Sequence, residues 1–368
     1  MNESKVYFTD FRTAFYGEGI LGKLEKLMKK AGFETLDLRG RFTAIKLHFG
    51  EAGNLAYLRP QYARTVADYV KKQGGIPFLT DCNTLYAGSR KNAVEHLATA
   101  VLNGFTESTV HCPVLIADGL KGDDEVKVPV PGGIHFKEAR IGRTVMDADV
   151  FLSLTHFKGH EKMGIGGCVK NIGMGCASRA GKMELHSDGK PVVEEEECIG
   201  CGKCASHCAH GALKLFHGKM TVDHEKCSGC GSCISVCPVT ALQPTWRQAD
   251  SLLDEKTAEY AAAVLAGRPH FHISILNNIS PNCDCHGEND AAILPDIGML
   301  ASFDPVALDF AACELCNRAP RLDHTWLDGK ANTGDVFNDA HGKSRWKDTL
   351  DHAVKIGLGS DRYELIRL

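Results

Sequence analysis

Eight of the 16 cysteines in this chain fall within 40 of its 368 residues, and this clustering constrains the fold more than any other feature of the sequence. The pattern C-x2-C-x2-C-x3-C occurs there twice, as CIGCGKCASHC and CSGCGSCISVC, and each cysteine of the first copy recurs 29 residues later in the second. The sequence therefore contains a short internal duplication that is rich in thiols. The first copy holds Cys198, Cys201, Cys204 and Cys208, and the second holds Cys227, Cys230, Cys233 and Cys237.

These thiols are more typical of metal ligands than of disulfides. The first residues, MNESKVYFTDFR, lack a charged segment followed by an apolar one, so we expect no secretory signal and a cytoplasmic protein. Thiols stay reduced in the cytosol, where clustered cysteines usually bind metal. Zinc sites with four cysteines usually split into two C-x2-C pairs separated by a longer gap, whereas three evenly spaced cysteines, with glycines that allow a tight turn, favour an iron–sulfur cluster.

The duplicated motif resembles that of the bacterial ferredoxins that carry two clusters. The resemblance implies two 4Fe–4S clusters, each bound by three cysteines of one copy and by the fourth cysteine of the other. It also implies short helices that begin within residues 209–216 and 239–242. The flanking sequences around Pro191 and Pro244 bound a ferredoxin-like insertion of α+β structure at residues 190–246. The implied ligand sets are Cys198, Cys201, Cys204 and Cys237 for one cluster, and Cys208, Cys227, Cys230 and Cys233 for the other.

Residues 1–189 and 247–368, on either side of the insertion, alternate strand and helix patterns, which is typical of an α/β domain with a mostly parallel sheet. Ligands bind such sheets at the carboxyl ends of the strands, so polar residues that end the strands are expected to share a pocket. Apolar runs predict strands at 43–47, 76–80, 114–117, 150–154 and 271–276, and periodic patterns predict helices at 60–72, 92–102 and 304–315. The strand-end residues are His48, Asp81, Asp118, His156 and Asn277.

A glycine-rich segment, THFKGHEKMGIGGCVKNIGMG at Thr155–Gly175, supplies further candidates for this pocket. Its six glycines allow the backbone to wrap closely round a ligand, although a structural glycine loop with solvated charges remains an alternative. The segment matches neither the phosphate-binding Walker loop nor the dinucleotide fingerprint. His48, His156 and His160 are candidate proton donors or metal ligands. Asp81 and Asp118 are candidate acids, bases or metal ligands. Lys170 is a candidate for binding the negative charge of an anion, as a clamp.

The segment PNCDCHG holds two further thiols, Cys283 and Cys285, directly after a predicted strand. They could bind a metal, form an additional redox centre or be buried, and their position beside the expected pocket favours a functional role. Cys313 and Cys316 share one face of a predicted helix and are expected to be buried and inert. Single cysteines at 82 and 112 are more typical of a core, and those at 168 and 176 are weak candidates for the pocket.

Several stretches resemble the family called domain of unknown function 362. They include KLHFGEAGN at Lys46–Asn54, FLTDCNTLYAGSR at Phe78–Arg90, THFKGHEKMGIGGCVKNIGMGC at Thr155–Cys176 and PDIGMLASFDPVALD at Pro295–Asp309. The resemblance covers nearly the whole chain, and many members of the family carry the same ferredoxin-like insertion. It implies a fold and cofactors but no settled reaction. A weaker resemblance connects the pattern with the two-lobed lactate racemases that use a nickel-pincer cofactor.

These features favour a redox protein, and an oxidoreductase if the protein is an enzyme. The net charge of −4 argues against nucleic acid as a partner, and the lack of a long apolar run argues against a membrane span. The two clusters would exchange electrons between a donor or acceptor protein and an unknown small-molecule ligand in the pocket. The alternatives are an electron carrier that docks to a larger complex and a factor that delivers a metal or cluster. A homodimer is expected only from the frequency of such assemblies.

Overall fold

The chain folds around a central sheet of eight strands in a computed structural model that describes residues 3–86, 88–186, 190–244, 250–342 and 345–368. Four pairs of short strands lie outside this sheet in the described ranges. The strands are β1 (Ser4–Asp10), β2 (Phe42–Lys46), β3 (Ile76–Asp81), β4 (Val114–Ile116), β5 (Glu125–Pro129), β6 (Glu138–Gly142), β7 (Val150–His156), β8 (Lys158–His160), β9 (Gly164–Gly166), β10 (Pro191–Val193), β11 (Leu213–Phe216), β12 (Lys219–Val222), β13 (Leu242–Pro244), β14 (His270–Leu276), β15 (Gly298–Ser302) and β16 (Tyr363–Arg367).

Helices flank the sheet on both faces, and none of them, in the part of the chain that is described, combines the length and the apolar character needed to cross a membrane. The helices are α1 (Ile20–Lys30), α2 (Pro60–Lys72), α3 (Ala93–Leu102), α4 (Glu107–Val110), α5 (Arg143–Asp147), α6 (Cys168–Cys176), α7 (Arg179–His186), α8 (Lys203–Ser206), α9 (Ser232–Val236), α10 (Asp250–Leu265), α11 (Pro305–Arg318), α12 (Val336–His341) and α13 (Trp346–Lys355).

The central sheet is mostly parallel, as the sequence predicts. Its order is β16-β1-β15-β14-β7-β2-β3-β4, and every neighbouring pair from β14 to β4 is parallel. Strand β15 runs antiparallel to both of its neighbours. The five strands predicted from apolar runs are β2, β3, β4, β7 and β14, so their carboxyl ends meet at one edge of the sheet.

Both faces of the sheet are buried under helices. Successive side chains of each strand point to opposite faces, so each strand contributes to both apolar clusters. In β2, Ala44 joins the apolar cluster that includes α6, α10 and α11, whereas Ile45 joins the cluster that includes α1 and α2. Phe151 and Leu152 of β7 divide between the two clusters in the same way. This three-layer arrangement confirms the predicted α/β class.

The helix ends follow local signals in the sequence. Pro60 occupies the first turn of α2, where its missing N–H group leaves no intrahelical bond unmade. The Asn92 side chain accepts a hydrogen bond from the N–H of Glu95 at the start of α3. The Asp304 carboxylate accepts hydrogen bonds from the second and third residues of α11, Val306 and Ala307, at 2.9 and 3.0 Å.

The glycine-rich segment 155–175 folds as a hairpin, β8–β9, followed by helix α6, and not as one extended loop. The buried Asp309 carboxylate accepts hydrogen bonds from the N–H groups of Cys168 and Val169, at 2.7 and 2.9 Å, and so fixes the start of α6. A side chain at Gly167 would lie 2.6 Å from this carboxylate. Close packing therefore accounts for Gly167, in agreement with the structural alternative for this position.

The cysteine-rich region consists of two short strand pairs and two one-turn helices. Helices α8 and α9 each begin after a glycine in the left-handed conformation, Gly202 and Gly231, and each precedes the fourth cysteine of its motif. The prediction of helices beginning in 209–216 and 239–242 was wrong, because those segments turn into β11 and β13, which pair with β12 and β10. Since Pro191 of β10 lies opposite Pro244 of β13, the chain leaves this region beside its point of entry.

Gly173 provides a test of the packing of α6 against α10. A Cβ atom there would overlap the carbonyl oxygen of Thr257, so we expect Gly173→Ala to lower the free energy of unfolding by about 1–3 kcal/mol, the usual cost of overpacking. Gly19→Ala is the matched control, because a methyl group there would meet no heavy atom within 4 Å and the φ of −75° suits any residue. Urea unfolding monitored by circular dichroism measures both, and equal midpoints for the two variants would contradict this packing.

Candidate functional site

A cavity of about 340 Å³ opens at the carboxyl edge of the sheet, between β2, β3, the β8–β9 hairpin, α6 and the segment that contains Cys283 and Cys285. Its volume is within the range of small-molecule sites. Lysine and arginine side chains outnumber carboxylates in its wall. The cationic side chains are Lys46, Arg90, Lys158, Lys162, Lys170 and Lys182, and the carboxylates are Asp81 and Glu161.

The structure brings together most of the pocket residues expected from the sequence. The side chains that line the cavity include His48, Asp81, His160, Lys170, Cys283 and Cys285. Asp118, His156 and Asn277 do not belong to the wall, although they also follow parallel strands. The common edge therefore places strand ends near one another, but the loops decide which side chains face the cavity.

A buried ion network forms the wall between β2 and β3. The Lys46 ammonium lies 3.0 Å from the Asp81 carboxylate, and the Arg90 guanidinium lies 3.5 Å from it. Arg90 also lies 3.1 Å from the carboxylate of Glu51. Burial raises the pKa of Asp81, but Lys46, His96 and Arg90 together outweigh burial and hold that pKa below its usual value. Asp81 is therefore the ionised counter-charge of the wall cations.

The rings of His48 and His160 are oriented by backbone donors. Nδ1 of His48 accepts a hydrogen bond from the N–H of Gly50 at 3.0 Å. Nδ1 of His160 accepts hydrogen bonds from the N–H groups of Lys162 and Met163, both at 3.1 Å. A ring nitrogen that accepts carries no proton, so each neutral ring carries its proton on Nε2.

The positive wall keeps these histidines uncharged. Burial lowers the pKa of His48 well below its usual value, and Arg90 and Lys158 lower it further. Burial lowers the pKa of His160 to about 4, with Lys170 adding to the effect. Both rings are therefore neutral at neutral pH and offer a proton only from Nε2. Their predicted roles as proton donors or metal ligands stay predictions.

His156 has the opposite environment, because acceptors surround its ring. Its Nδ1 lies 2.9 Å from the Asp284 carboxylate, and its Nε2 lies 2.8 Å from the carbonyl oxygen of Asn277. Both ring nitrogens of His156 thus lie against oxygen atoms that can accept a hydrogen bond. The ammonium of Lys158 lies 3.0 Å from the same carboxylate. His156 therefore fixes Asp284, which stands between the two cysteines of the cavity wall, and does not itself face a ligand.

Asp118 does not line the cavity, although it interacts with the wall cation Lys182. Its Oδ1 accepts hydrogen bonds from the backbone and side-chain nitrogens of Asn83, at 2.9 and 2.8 Å. Burial raises the pKa of Asp118 to about 6, opposed mainly by Lys182. Its second oxygen has no hydrogen-bond partner among the described residues.

Cys283 and Cys285 form a thiol pair beside Lys170. The Lys170 ammonium lies 3.6 Å from the Cys283 sulfur. The hydrogen bond between the two thiols lowers the pKa of Cys285 and, together with burial, raises that of Cys283 to about 12. Cys285 is therefore the more acidic thiol. Ligand atoms of His160, Cys283 and Cys285 lie within 4.8 Å of one another, close enough for one metal ion.

The cysteine-rich region contains two small cavities, and each is lined by cysteines of both motifs. Backbone N–H groups also point at the sulfur atoms: that of Met220 lies 3.4 Å from Cys198, and that of Ala212 lies 3.3 Å from Cys208. One cavity, here called quartet 1, is lined by Cys198, Cys201, Cys204 and Cys237. The other, quartet 2, is lined by Cys208, Cys227, Cys230 and Cys233.

Arg179 of α7 connects quartet 2 with the α/β fold. A Cβ atom at Gly231 would lie 2.9 Å from the Cγ of Arg179 and 3.2 Å from the Cγ of Met183. The Arg179 side chain is 1% exposed, and one terminal nitrogen donates to the carbonyl oxygen of Lys91. Its Nε and its other terminal nitrogen have no partner within the described ranges. Unpaired donors of a buried guanidinium are costly unless an acceptor reaches them.

The remaining six cysteines are buried. Cys82, expected to lie in the core, lines the cavity, whereas Cys168 and Cys176 do not belong to its wall. Cys313 and Cys316 lie on α11 with no exposed surface, and burial raises the pKa of both. Burial also raises the pKa of Cys112 to about 12 and that of Cys176 to about 11.

Sequence reasoning missed three of the charged residues that shape this site. Lys46 had a usable signal, because a lysine interrupts the otherwise apolar run TAIKL. Arg90 and Arg179 lie in segments with no periodic pattern, and their burial depends on contacts that are distant in sequence.

A family model described as domain of unknown function (DUF362) matches residues 43–314. No curated protein matches. One similar solved structure is the lactate racemase apoprotein from Thermoanaerobacterium thermosaccharolyticum, with 11% sequence identity, a TM-score of 0.36 and coverage of 73% of this chain and 50% of that chain. Another is a protein from Thermotoga maritima, with 12% sequence identity, a TM-score of 0.38 and coverage of 82% of this chain and 59% of that chain. The chain thus spans only half to three fifths of the length of these proteins.

The ion network makes Asp81 a sensitive position. Asp81→Asn would leave Lys46 and Arg90 buried without their shared counter-charge, so we expect the free energy of unfolding to fall by about 3–5 kcal/mol. Asp37→Asn is the control, because Asp37 forms an exposed pair with Arg41 that is worth less than about 1 kcal/mol. Denaturant unfolding measures both. A loss at Asp81 no larger than that at Asp37 would contradict the network.

Proposed function

The chain belongs to the DUF362 family, and we propose that it is an iron–sulfur redox protein whose two 4Fe–4S clusters, bound by quartets 1 and 2, exchange electrons with a small molecule in the cavity. The main support is that four cysteines line each of two small cavities, and that two further thiols line a separate cavity together with several charged side chains. The clusters would supply single electrons.

The residues of both quartets fit such clusters. Each quartet combines three cysteines of one motif with the fourth of the other, the arrangement found in ferredoxins with two clusters. The backbone N–H groups of Met220 and Ala212 point at the sulfur atoms of Cys198 and Cys208, where they would stabilise thiolates. Hydrogen bonds to sulfur also tune the potential of a cluster.

Arg179 supplies a second sign of fit, at quartet 2. Two of its guanidinium nitrogens lack an acceptor among the described residues, and the side chain is in contact range of Gly231 within the second motif. A cluster with four thiolates carries net negative charge and would complement the buried cation. Asp118 and Asp123 interact most strongly with this cation, and Cys230 and Cys233 of quartet 2 follow, so an anionic cluster there would add to its stabilisation.

The short helix α7 links quartet 2 to the cavity. Arg179 and Met183 face the cysteine-rich region, while Lys182 and His186 of the same helix line the cavity. Leu85 lines the cavity and also packs in the apolar cluster that contains Met183 and Cys198. Helix α7 thus contacts both the cysteine-rich region and the cavity, which supports electron exchange between them.

Metal analysis of protein purified without oxygen tests the proposal. We expect about eight iron atoms and eight sulfide ions per chain. Cys198→Ser and Cys237→Ser should remove the same cluster, because both residues line quartet 1, so the double variant should lose no more iron than either single variant. Cys198→Ser combined with Cys227→Ser should lose both clusters.

Cys112→Ser is the control for these substitutions, since Cys112 lies in the core of the α/β fold, and it should keep all of the iron. Zinc in place of iron would refute the redox proposal, because zinc has no redox chemistry. Iron without sulfide would refute the two 4Fe–4S clusters. Intact clusters that no cavity ligand can oxidise or reduce would instead favour a carrier that docks to a larger complex.

Arg179 should raise the reduction potential of the cluster in quartet 2, because its positive charge favours the more negative reduced state. We therefore expect Arg179→Gln to shift one of two potentials to a more negative value and to leave the other in place. Titration followed by electron paramagnetic resonance measures both potentials.

Lys219→Gln is the matched control at quartet 1, because the Lys219 ammonium donates to the carbonyl oxygen of Cys198 at 2.7 Å. It should move the potential that Arg179→Gln leaves unchanged. If both variants move the same cluster, the assignment of Arg179 to quartet 2 is wrong.

A further inference from the structure

We propose that the cavity binds an oxyanion, a carboxylate or a phosphate group, through the Nε2–H groups of His48 and His160 and the ammonium of Lys170. The inference deepens the proposed function, on which it rests, by naming the class of ligand that would exchange electrons with the clusters.

An excess of positive charge in the wall favours an anion. Six cationic side chains line the cavity, against the carboxylates of Asp81 and Glu161. Two further carboxylates, Glu51 and Asp284, pair with wall cations from behind. The carboxylate of Asp118 also interacts with the wall cation Lys182 from outside the lining. Among the side chains that line the cavity, cations still outnumber carboxylates, and such a wall attracts a negatively charged ligand.

The two histidines have hydrogen-bond geometry suited to the same ligand. Because the Nδ1 atoms of His48 and His160 accept backbone N–H groups, each ring must present Nε2 as a donor. Neither Nε2 has a hydrogen-bond partner in the described part of the chain, and both residues line the cavity. Neutral histidine donors together with lysine form a set that contains donors only, which suits an oxygen acceptor with several lone pairs.

Lys170 is the cation best placed to contact this ligand. The ammonium groups of Lys46 and Lys158 already lie 3.0 Å from the carboxylates of Asp81 and Asp284. No carboxylate of the described residues lies within 4.0 Å of the Lys170 ammonium, which donates to the Cys283 sulfur at 3.6 Å. Its charge is therefore available to a ligand.

The same geometry argues against His160 as a metal ligand. Coordination through Nε2 would require the proton on Nδ1, and Nδ1 instead accepts the N–H groups of Lys162 and Met163. Cys283 and Cys285 line the same cavity beside Lys170. An oxyanion held by His48, His160 and Lys170 would lie next to these thiols.

Calorimetric titration of the full chain, purified without oxygen, with inorganic phosphate and separately with oxalate tests this inference. We expect at least one of the two anions to bind at one site per chain, and the comparison distinguishes a phosphate from a carboxylate ligand. Lys170→Met and His48→Phe should each weaken binding roughly tenfold or more, because each removes a hydrogen bond to a charged group. Lys29→Met is the matched control, because Lys29 lies on the exposed face of α1, and it should leave binding unchanged.

Iron content and circular dichroism of each variant establish that it is folded. A second measurement needs only the natural chain: the binding anion should slow the alkylation of Cys285, mapped by mass spectrometry. If neither anion binds to protein that holds its iron, or if both cavity variants bind like Lys29→Met, the inference is overturned while the cluster proposal stands. Absence of iron with intact anion binding would overturn the cluster proposal alone.

Discussion

The shared pairing of Lys46 and Arg90 with Asp81 is the interaction on which the cavity depends. All three side chains are almost fully buried, and the carboxylate lies at the end of β3 beside the strand that carries Lys46. Removing such charges from water is so unfavourable that apolar replacements are often equally stable. The network therefore does little for stability as a whole. Its effect is local, because it places fixed charges at the edge of a sheet that is otherwise apolar.

Helix α6 completes this wall, and its sequence allows a close approach to the charges. The Lys46 ammonium donates to the Asn171 side chain at 2.8 Å, and it occupies the space that a side chain at Gly175 would need. Asp309 of α11 holds the start of the helix through two backbone hydrogen bonds. The same helix carries Lys170 into the cavity. The position of the anion-binding groups is thus set by contacts among the sheet, α6 and α11.

The sequence predicts this fold well where local signals are sufficient and fails where distant contacts decide. Helix α2 begins and ends as predicted, because Pro60 marks its first turn and Gly74 follows it. The helices expected after Cys208 and Cys237 are absent from the described residues there, since pairing with β12 and β10 determines those segments.

Part of the candidate site can likewise be predicted from local sequence, and part depends on contacts that are distant in sequence. Parallel strands bring His48 and Asp81 to one edge, as their positions after apolar runs suggest. His156 follows a strand too, but Asp284 and the Asn277 carbonyl surround its ring, and nothing local in the sequence indicates these partners. A donor faces the Nδ1 of His48, whereas acceptors face both nitrogens of His156, so the two histidines differ in their hydrogen-bonding environment although their sequence contexts are alike.

Reduction of the cluster in quartet 2 and anion binding in the cavity would oppose each other. Helix α7 lies between the two sites: Arg179 contacts the region of quartet 2, and Lys182 lines the cavity. An electron added at quartet 2 would place negative charge beside this helix, and so would an oxyanion bound in the cavity. Like charges separated by packed protein repel more strongly than they would in water. Each event therefore disfavours the other, and linkage requires the effect to be equal in both directions. A bound oxyanion would lower the reduction potential of the nearer cluster, so that this cluster gives up its electron more readily when the ligand is present.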